Sequence, residues 1–401
     1  MIVINGKKRF HAIKESKSTR SRTILRKLTK KWFVPLAAVV AVAAVLASCT
    51  TAQPSTTSTA TTTAATSSPT STTTQAVSLN GAGATFPAPL YTRWFDEYYK
   101  LTGVKINYQQ VGSGAGINQI TQGTVDFGAS DAIMTADQQA KAEAAGGPIL
   151  HIPMTSGAVA IIYNLHGIDS GTIELTGDIL AQIYLKRITV WSDPQIAALN
   201  PGLNLPSTPI AVVHRSDGSG TTNIFTTYLS QVSSDWSSTA GKGTAVNWPG
   251  DIGGQGNAGV AGSVQQTPGA IGYVELAYAK QNQLPWVLLK NAAGNYEAPS
   301  LAGVTAATVG VTLPDDMKVM ITNSSNPDAY PIAGFTWILV YQNQTDKAKG
   351  EALVKMLWWA IHDGQQFGAP LDYAALSSAA VTKAENEILS IKYQGQPLLS
   401  R

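Results

Sequence analysis

An α/β fold of two domains is predicted from three observations. From Val77 onward, strand patterns alternate with helix patterns of about ten residues, the sequence form of helices packed on largely parallel sheets. Some 325 residues lie from that point to the end of the chain, more than one hydrophobic core of about 250 residues organises. No internal repeat is visible, which leaves two unlike domains rather than an array.

The elements follow in order. Leu90, Trp94, Tyr98 and Leu101 recur at helical spacing, and Gly103 stops that helix. Val104, Ile106 and Tyr108 then share one face at period two, as in a half-buried strand. Thr135 and Gln138 form a capping box for a short helix to Ala145. Ile149–Ile152, Val159–Tyr163 and Ile210–Val213 are apolar runs rich in β-branched residues, each read as a strand. Asp346–His362 reads as a long helix with Leu353, Leu357 and Trp358 inward, and Trp94, Trp358 and Trp359 are assigned to the core.

Charge is unevenly spread. The chain is 44% hydrophobic and 13% charged with a formal charge of +3, against a usual charged share of about 25%. Eleven Lys or Arg and a single acid, Glu15, fall within residues 1–48, so the remainder holds 17 bases and 24 acids, a net −7. That balance speaks against a nucleic-acid partner.

The basic head precedes the uncharged stretch Trp32–Ser48, the order of a signal peptide over residues 1–48. It ends in LASC, whose Cys49 is the single cysteine and so has no disulfide partner in the chain. LASC resembles a bacterial lipobox, in which the cysteine carries lipid and becomes the new N-terminus. The alternative is an uncleaved anchor, since 17 apolar residues reach the short limit of a spanning helix. Either way the rest of the chain is expected outside the cytoplasm. Residues 50–76 hold 18 Ser or Thr and no charge, the composition of a disordered tether.

Three polar segments, Gly81–Pro89 (GAGATFPAP), Val111–Gly116 (VGSGAG) and Asp217–Thr222 (DGSGTT), each follow a strand and open a helix. They place glycines, hydroxyls and free N–H groups where helix dipoles are positive, the setting for an anion. A single such segment is more often an ordinary cap or turn. Three together, with Arg215 offering a planar fork suited to a tetrahedral oxyanion, point to an anion site. Asp217 could pair with Arg215 on the surface, or orient its fork from behind. VDFGASDA ends a strand near Asp131.

The stretches LNGAGATFPAPLYTRW, VGSGAGINQI, VDFGASDA, HRSDGSGTTNIF and PGAIGYVELAYAKQN resemble, in order and spacing, the periplasmic phosphate-binding protein of the phosphate ABC importer. The likeness runs from Val77 to Gln283 and from Pro331 to Tyr373, with Asn291–Asn326 matching loosely. It implies a two-domain periplasmic-binding-protein fold of type II, with residues 77–158 and 332–401 in one domain and 159–331 in the other. The chain would cross between domains near Val159–Tyr163 and Pro331–Val340, with the ligand in the cleft. It implies phosphate binding by Thr85, Phe86, Ser113, Asp131, Arg215, Ser219, Gly220 and Thr221. It also implies a monomer, no cofactor or metal, and membrane permease and ATPase subunits as partners. Asp131, a carboxylate facing an anion, is tolerable where the ligand carries a proton to give it; hydrogen phosphate does and sulfate does not.

The sequence admits two rival readings. A phosphatase or serine hydrolase using Ser219 or Ser113 needs a base, and His214 is the nearest candidate. No G-x-S-x-G occurs, and the five histidines lack metal-ligand spacing. A stalked adhesion module is the second. GQGNAG (Gly254–Gly259) fits a dinucleotide fingerprint, but it follows NWPGDIG rather than a strand and is read as a loop that opens a helix.

Overall fold

The structure, a computed structural model, describes residues 77–400 apart from Asp251. The signal, Cys49 and tether readings lie outside the described residues. Those described fall in one compact unit.

Its centre is an eight-stranded sheet. β1 (Ser78–Gly83), β2 (Lys105–Gln110) and β3 (Phe127–Ser130) run parallel, linked by α1 (Ala88–Thr102) and α2 (Ser113–Thr121). After α3 (Ala136–Gly146) comes β4 (Ile149–Tyr163), which runs through the middle of the sheet. Residues 149–158 of β4 pair with the strand Ala333–Tyr341, and residues 159–163 pair with Ala270–Glu275. The second half of the sheet continues through Ala211–Arg215 to Ile252–Gly254.

Two expectations change here. The separate strands Ile149–Ile152 and Val159–Tyr163 are one strand, in which the register shifts opposite Thr336 and Trp337. Pro153 and Met154 sit at this bulge, where a missing N–H costs least. The sheet is also mixed rather than largely parallel, because Ala333–Tyr341 runs antiparallel to both neighbours and β4 antiparallel to Ala270–Glu275. The chain thus passes between the halves of the sheet once within the strand β4 and once at the bend Pro331–Ile332 that leads into Ala333–Tyr341. The two passages are tied together by Val159 N–H donating to Ile332 C=O at 2.8 Å and the Tyr330 hydroxyl donating to Val159 C=O at 2.9 Å.

Local chemistry accounts for the helices. Pro87 precedes α1, where no N–H is needed, and Gly103 ends it at φ 72°, its N–H bonding Tyr99 C=O. Leu90, Trp94 and Tyr98 are buried, but Leu101 is 67% exposed, so the apolar stripe stops one turn early. Each such buried side chain contributes roughly 1.5–3 kcal/mol. Both bonds of the Thr135–Gln138 capping box form. Asp346 caps the helix Lys347–Ile361, which buries Leu353 and Leu357. Trp94 is core as expected, its indole N–H donating to Gly364 C=O at 2.6 Å. Trp358 and Trp359 are only half-buried: Trp358 lies against His362, and Trp359 packs between Tyr98 and Phe367.

GQGNAG does follow a short strand, Ile252–Gly254, contrary to expectation, and it opens the helix Gly256–Gln266 as expected. The strand was missed because it is three residues long, two of them glycine.

Candidate anion-binding site

Four strand ends converge at the junction of the two halves. β1 leads into Thr85 and Phe86, β2 into Ser113, β3 into Asp131, and Ala211–Arg215 into the turn before the helix Gly220–Val232. Every one of these groups is buried: Thr85 is 6% exposed, Arg215 3%, Asp131 1%, and Phe86, Ser113, Ser219 and Thr221 0%.

The first network joins Ser113, Asp131 and Gly220. Ser113 Oγ accepts from the N–H of Asp131 at 3.2 Å and from that of Gly220 at 3.0 Å, so one hydroxyl links the halves of the sheet. Glycine is required at position 220, because a Cβ there would stand 2.5 Å from Asp131 Oδ2 and from Ser113 Oγ. Asp131 Oδ1 accepts from the Thr336 hydroxyl at 2.8 Å. Burial pushes the Asp131 carboxyl up to about 7, against the opposing pull of the Thr336 hydrogen bond, the Arg215 charge and the Ser113 hydroxyl.

The second network holds the guanidinium. Asp217 grips Arg215 by a two-point fork, Nε to Oδ1 at 2.7 Å and Nη2 to Oδ2 at 2.5 Å. The remaining nitrogen, Nη1, points to Thr221 Oγ1 at 3.4 Å. Asp217 thus orients Arg215 from behind, and Gly256 N–H donates to Asp217 Oδ1 at 3.0 Å. Burial raises the Asp217 carboxyl, but the bonds and charge of Arg215 outweigh it and hold the group below the usual carboxylate range.

Asn257 connects the two sides, and sequence reasoning missed it. Its Nδ2 donates to Thr85 Oγ1 at 2.8 Å and to Thr221 Oγ1 at 3.2 Å, while its backbone N–H donates to Thr85 Oγ1 at 3.2 Å. Its Oδ1 accepts from Glu275 N–H at 2.9 Å, which fixes the way the amide faces. Thr336, Tyr278 and Tyr273 were also missed. Tyr278 donates to Thr85 C=O at 2.7 Å, and the Tyr273 hydroxyl accepts from Arg215 N–H at 3.1 Å. The signal for Asn257 was present, a polar residue at the start of a helix after glycine, in the very segment read as a loop.

Two expected residues act differently from the rest. Ser219 Oγ caps the helix Gly220–Val232 by accepting from Thr222 N–H at 3.0 Å, leaving its hydroxyl proton to donate. The Phe86 ring lies over Gly157 and edge-on to Tyr373, so its side chain belongs to the core between the halves and only its backbone is available to a ligand. His214, the base considered for a hydrolase, stacks on Trp248 at 4.9 Å, with Nδ1 3.0 Å from Arg215 C=O.

A strand-end cluster of buried hydroxyls, a helix N-terminus and one guanidinium, set between two halves of a sheet joined by the long strand β4, defines an anion receptor of the binding-protein class. A sequence profile of that class, the PBP superfamily domain, matches residues 51–355. The phosphate-binding protein PstS of Xylella fastidiosa is 43% identical over 314 residues, 78% of this chain and 85% of its own length. That of Pasteurella multocida is 42% identical over 314 residues, 78% and 90% of the two chains. The chain belongs to the PstS family of phosphate-binding proteins. A solved high-affinity periplasmic phosphate-binding protein, PfluDING, aligns at TM-score 0.63 and 22% identity over 77% of this chain and 93% of its own, sharing the two-domain fold.

Proposed function

We propose that this protein captures inorganic phosphate outside the cytoplasm and delivers it to the membrane permease and ATPase subunits of an ABC importer, as a monomeric binding protein and not an enzyme. Lipidation of Cys49 and the 49–76 tether would hold it at the membrane. The eight positions Thr85, Phe86, Ser113, Asp131, Arg215, Ser219, Gly220 and Thr221 are the proposed ligand groups. The observation that carries the proposal is the buried pairing of opposites: a guanidinium locked by Asp217, and a carboxyl, Asp131, that no cation bonds directly. Arg215 and the helix terminus meet the charge of the dianion. Asp131 accepts its proton. Sulfate brings no proton, so the ionised form of Asp131 would face another acceptor with no hydrogen between them, and the site rejects sulfate to the extent that Asp131 is ionised.

Calorimetric titration of the protein with phosphate and with sulfate tests this. Phosphate is expected to bind at micromolar affinity or tighter, with sulfate weaker by a margin that widens as pH rises above about 7, and Asp131→Asn should narrow the gap. Unchanged sulfate rejection in that variant would refute the role given to Asp131.

Domain I is proposed to comprise residues 77–158 and 332–401, and domain II residues 159–331, closing about the two passages joined by the Val159–Ile332 hydrogen bond. Gly114 N–H donates to Gly218 C=O at 2.9 Å across the two, a contact that opening must break. Phosphate should therefore shrink the radius of gyration in solution scattering; a profile that does not respond would argue against the hinge.

A further inference from the structure

Beneath the Thr85–Phe86 turn lies a carboxyl group that anion binding does not use. Glu275 ends the strand Ala270–Glu275, is fully buried, and pairs with Val159 where β4 changes partners. Its Oε2 accepts from Ala277 N–H at 2.9 Å, capping the helix Leu276–Gln281, and stands 2.8 Å from the Tyr373 hydroxyl. Its Oε1 is buried with no hydrogen-bond partner. The same Tyr373 oxygen is 2.7 Å from Phe86 C=O.

Counting protons assigns the state of this group. Tyr373 has a single hydroxyl proton, and two acceptor oxygens stand within bonding distance of it. With an ionised Glu275, one of those two short contacts would lack a proton, and a charged oxygen would be buried bare, which costs several kcal/mol. A carboxylic acid supplies the missing proton. Glu275 then donates to Tyr373 Oη, and Tyr373 donates to Phe86 C=O. The surroundings agree, since Tyr373, Tyr278 and Asp372 are the ionisable groups that act on Glu275 or are acted on by it, and none is a cation. Lys280, on the helix that Glu275 caps, is paired with Asp372 at 2.7 Å. Burial pushes the Glu275 carboxyl well above its usual range.

We propose that Glu275 is kept as a neutral carboxylic acid and positions the Thr85–Phe86 turn through Tyr373, setting phosphate affinity without touching the anion. The backbone of the same residue also reaches the site, since Glu275 N–H fixes the Asn257 amide that bonds Thr85 and Thr221, a bond independent of the carboxyl group and kept in every variant. Glu275 is a positioning residue, and its role rests on the phosphate reading above.

The test combines infrared spectroscopy with phosphate titration of the full chain and its Glu275→Gln and Tyr373→Phe variants. In mildly alkaline buffer the wild-type protein should show the C=O band of a protonated carboxylic acid that Glu275→Gln abolishes. Running the same pair in an Asp131→Asn background removes the raised carboxyl of the site itself, and because Glu387, pushed by burial up to about 8, is common to both members of the pair, only the band lost with Glu275→Gln belongs to Glu275. Glu275→Gln keeps a donor toward Tyr373 and should bind phosphate within about threefold of wild type, whereas Tyr373→Phe should bind about tenfold more weakly, the worth of one hydrogen bond. A missing band, or a glutamine variant as weak as the phenylalanine one, overturns the proposal. A wild-type protein that takes no phosphate refutes the phosphate reading instead, and the band alone then decides the state of Glu275.

Discussion

Asp131 and Asp217 are the same residue at two ends of one site, and the structure gives them opposite electrostatic settings. Asp217 lies against the Arg215 fork with a backbone N–H from Gly256, and it is held below the usual carboxylate range. Asp131 has a hydroxyl from Thr336, feels Arg215 only through space, and is pushed up to about 7. Burial opposes charge in both cases; what differs is a bonded cation. On the proposed reading one carboxylate serves as a permanent brace and the other as a proton acceptor, a division set by the partners each strand end supplies.

Removing the shared cation should break this contrast most severely. Arg215→Ala deletes at least two charged hydrogen bonds at roughly 1.5–3 kcal/mol each, so phosphate affinity should fall about a thousandfold by calorimetry. It also strands Asp217, whose carboxyl should then titrate near or above its ordinary value. A loss under about tenfold would mean that Arg215 faces away from the ligand.

The contrast was only half legible in the sequence. Glycine-rich segments ahead of helices are local features, and α2 and the helix Gly220–Val232 begin inside them. Arg215 and Asp217 are two residues apart, so their pairing was a local possibility as well. Asn257, Thr336 and Glu275 reach the site from elements that are 172 residues from Thr85, 205 from Asp131 and 98 from Tyr373 respectively, distances over which spacing carries no signal. The merging of two apolar runs into β4 was hidden for a similar reason: Pro153 and Gly157 look like breaks until the partner strand Ala333–Tyr341 is in place and β4 absorbs Pro153 in a bulge against it.

The pH dependence of sulfate rejection sharpens the comparison next. Above about 7 Asp131 is ionised and sulfate binding, which needs the protonated form, should weaken about tenfold per pH unit; below that value it should level off. The stability sign agrees. The folded state holds a proton that the unfolded chain has already released between the ordinary carboxylate value and about 7, so this group makes the protein less stable as pH rises through that window. Sulfate affinity that is flat across neutrality would remove the proton-acceptor role.

Asp217→Asn tests the brace. The amide can still meet the fork at one point, so phosphate affinity should weaken about fivefold, with sulfate rejection intact. Because the folded-state value of Asp217 is depressed, its stabilisation is present above the unfolded carboxylate value and is lost as pH falls through the folded one. Acid unfolding followed by circular dichroism should accordingly be shallower in the variant.

The smallest effect is expected where the two halves touch with no charge at all. A Cβ on Gly218 would lie 3.2 Å from Gly114 Cα, tighter than ordinary contact but short of a clash with the fold of either half. Gly218→Ala should therefore leave both aspartates as they are while opposing the Gly114–Gly218 hydrogen bond that forms when the halves meet. Phosphate affinity should drop about threefold through faster release, since closure rather than ligand contact is what the methyl group resists. Unaltered release in stopped flow would place the cost of closing elsewhere, and a change in sulfate rejection would mean that this turn also shapes the pocket around Asp131.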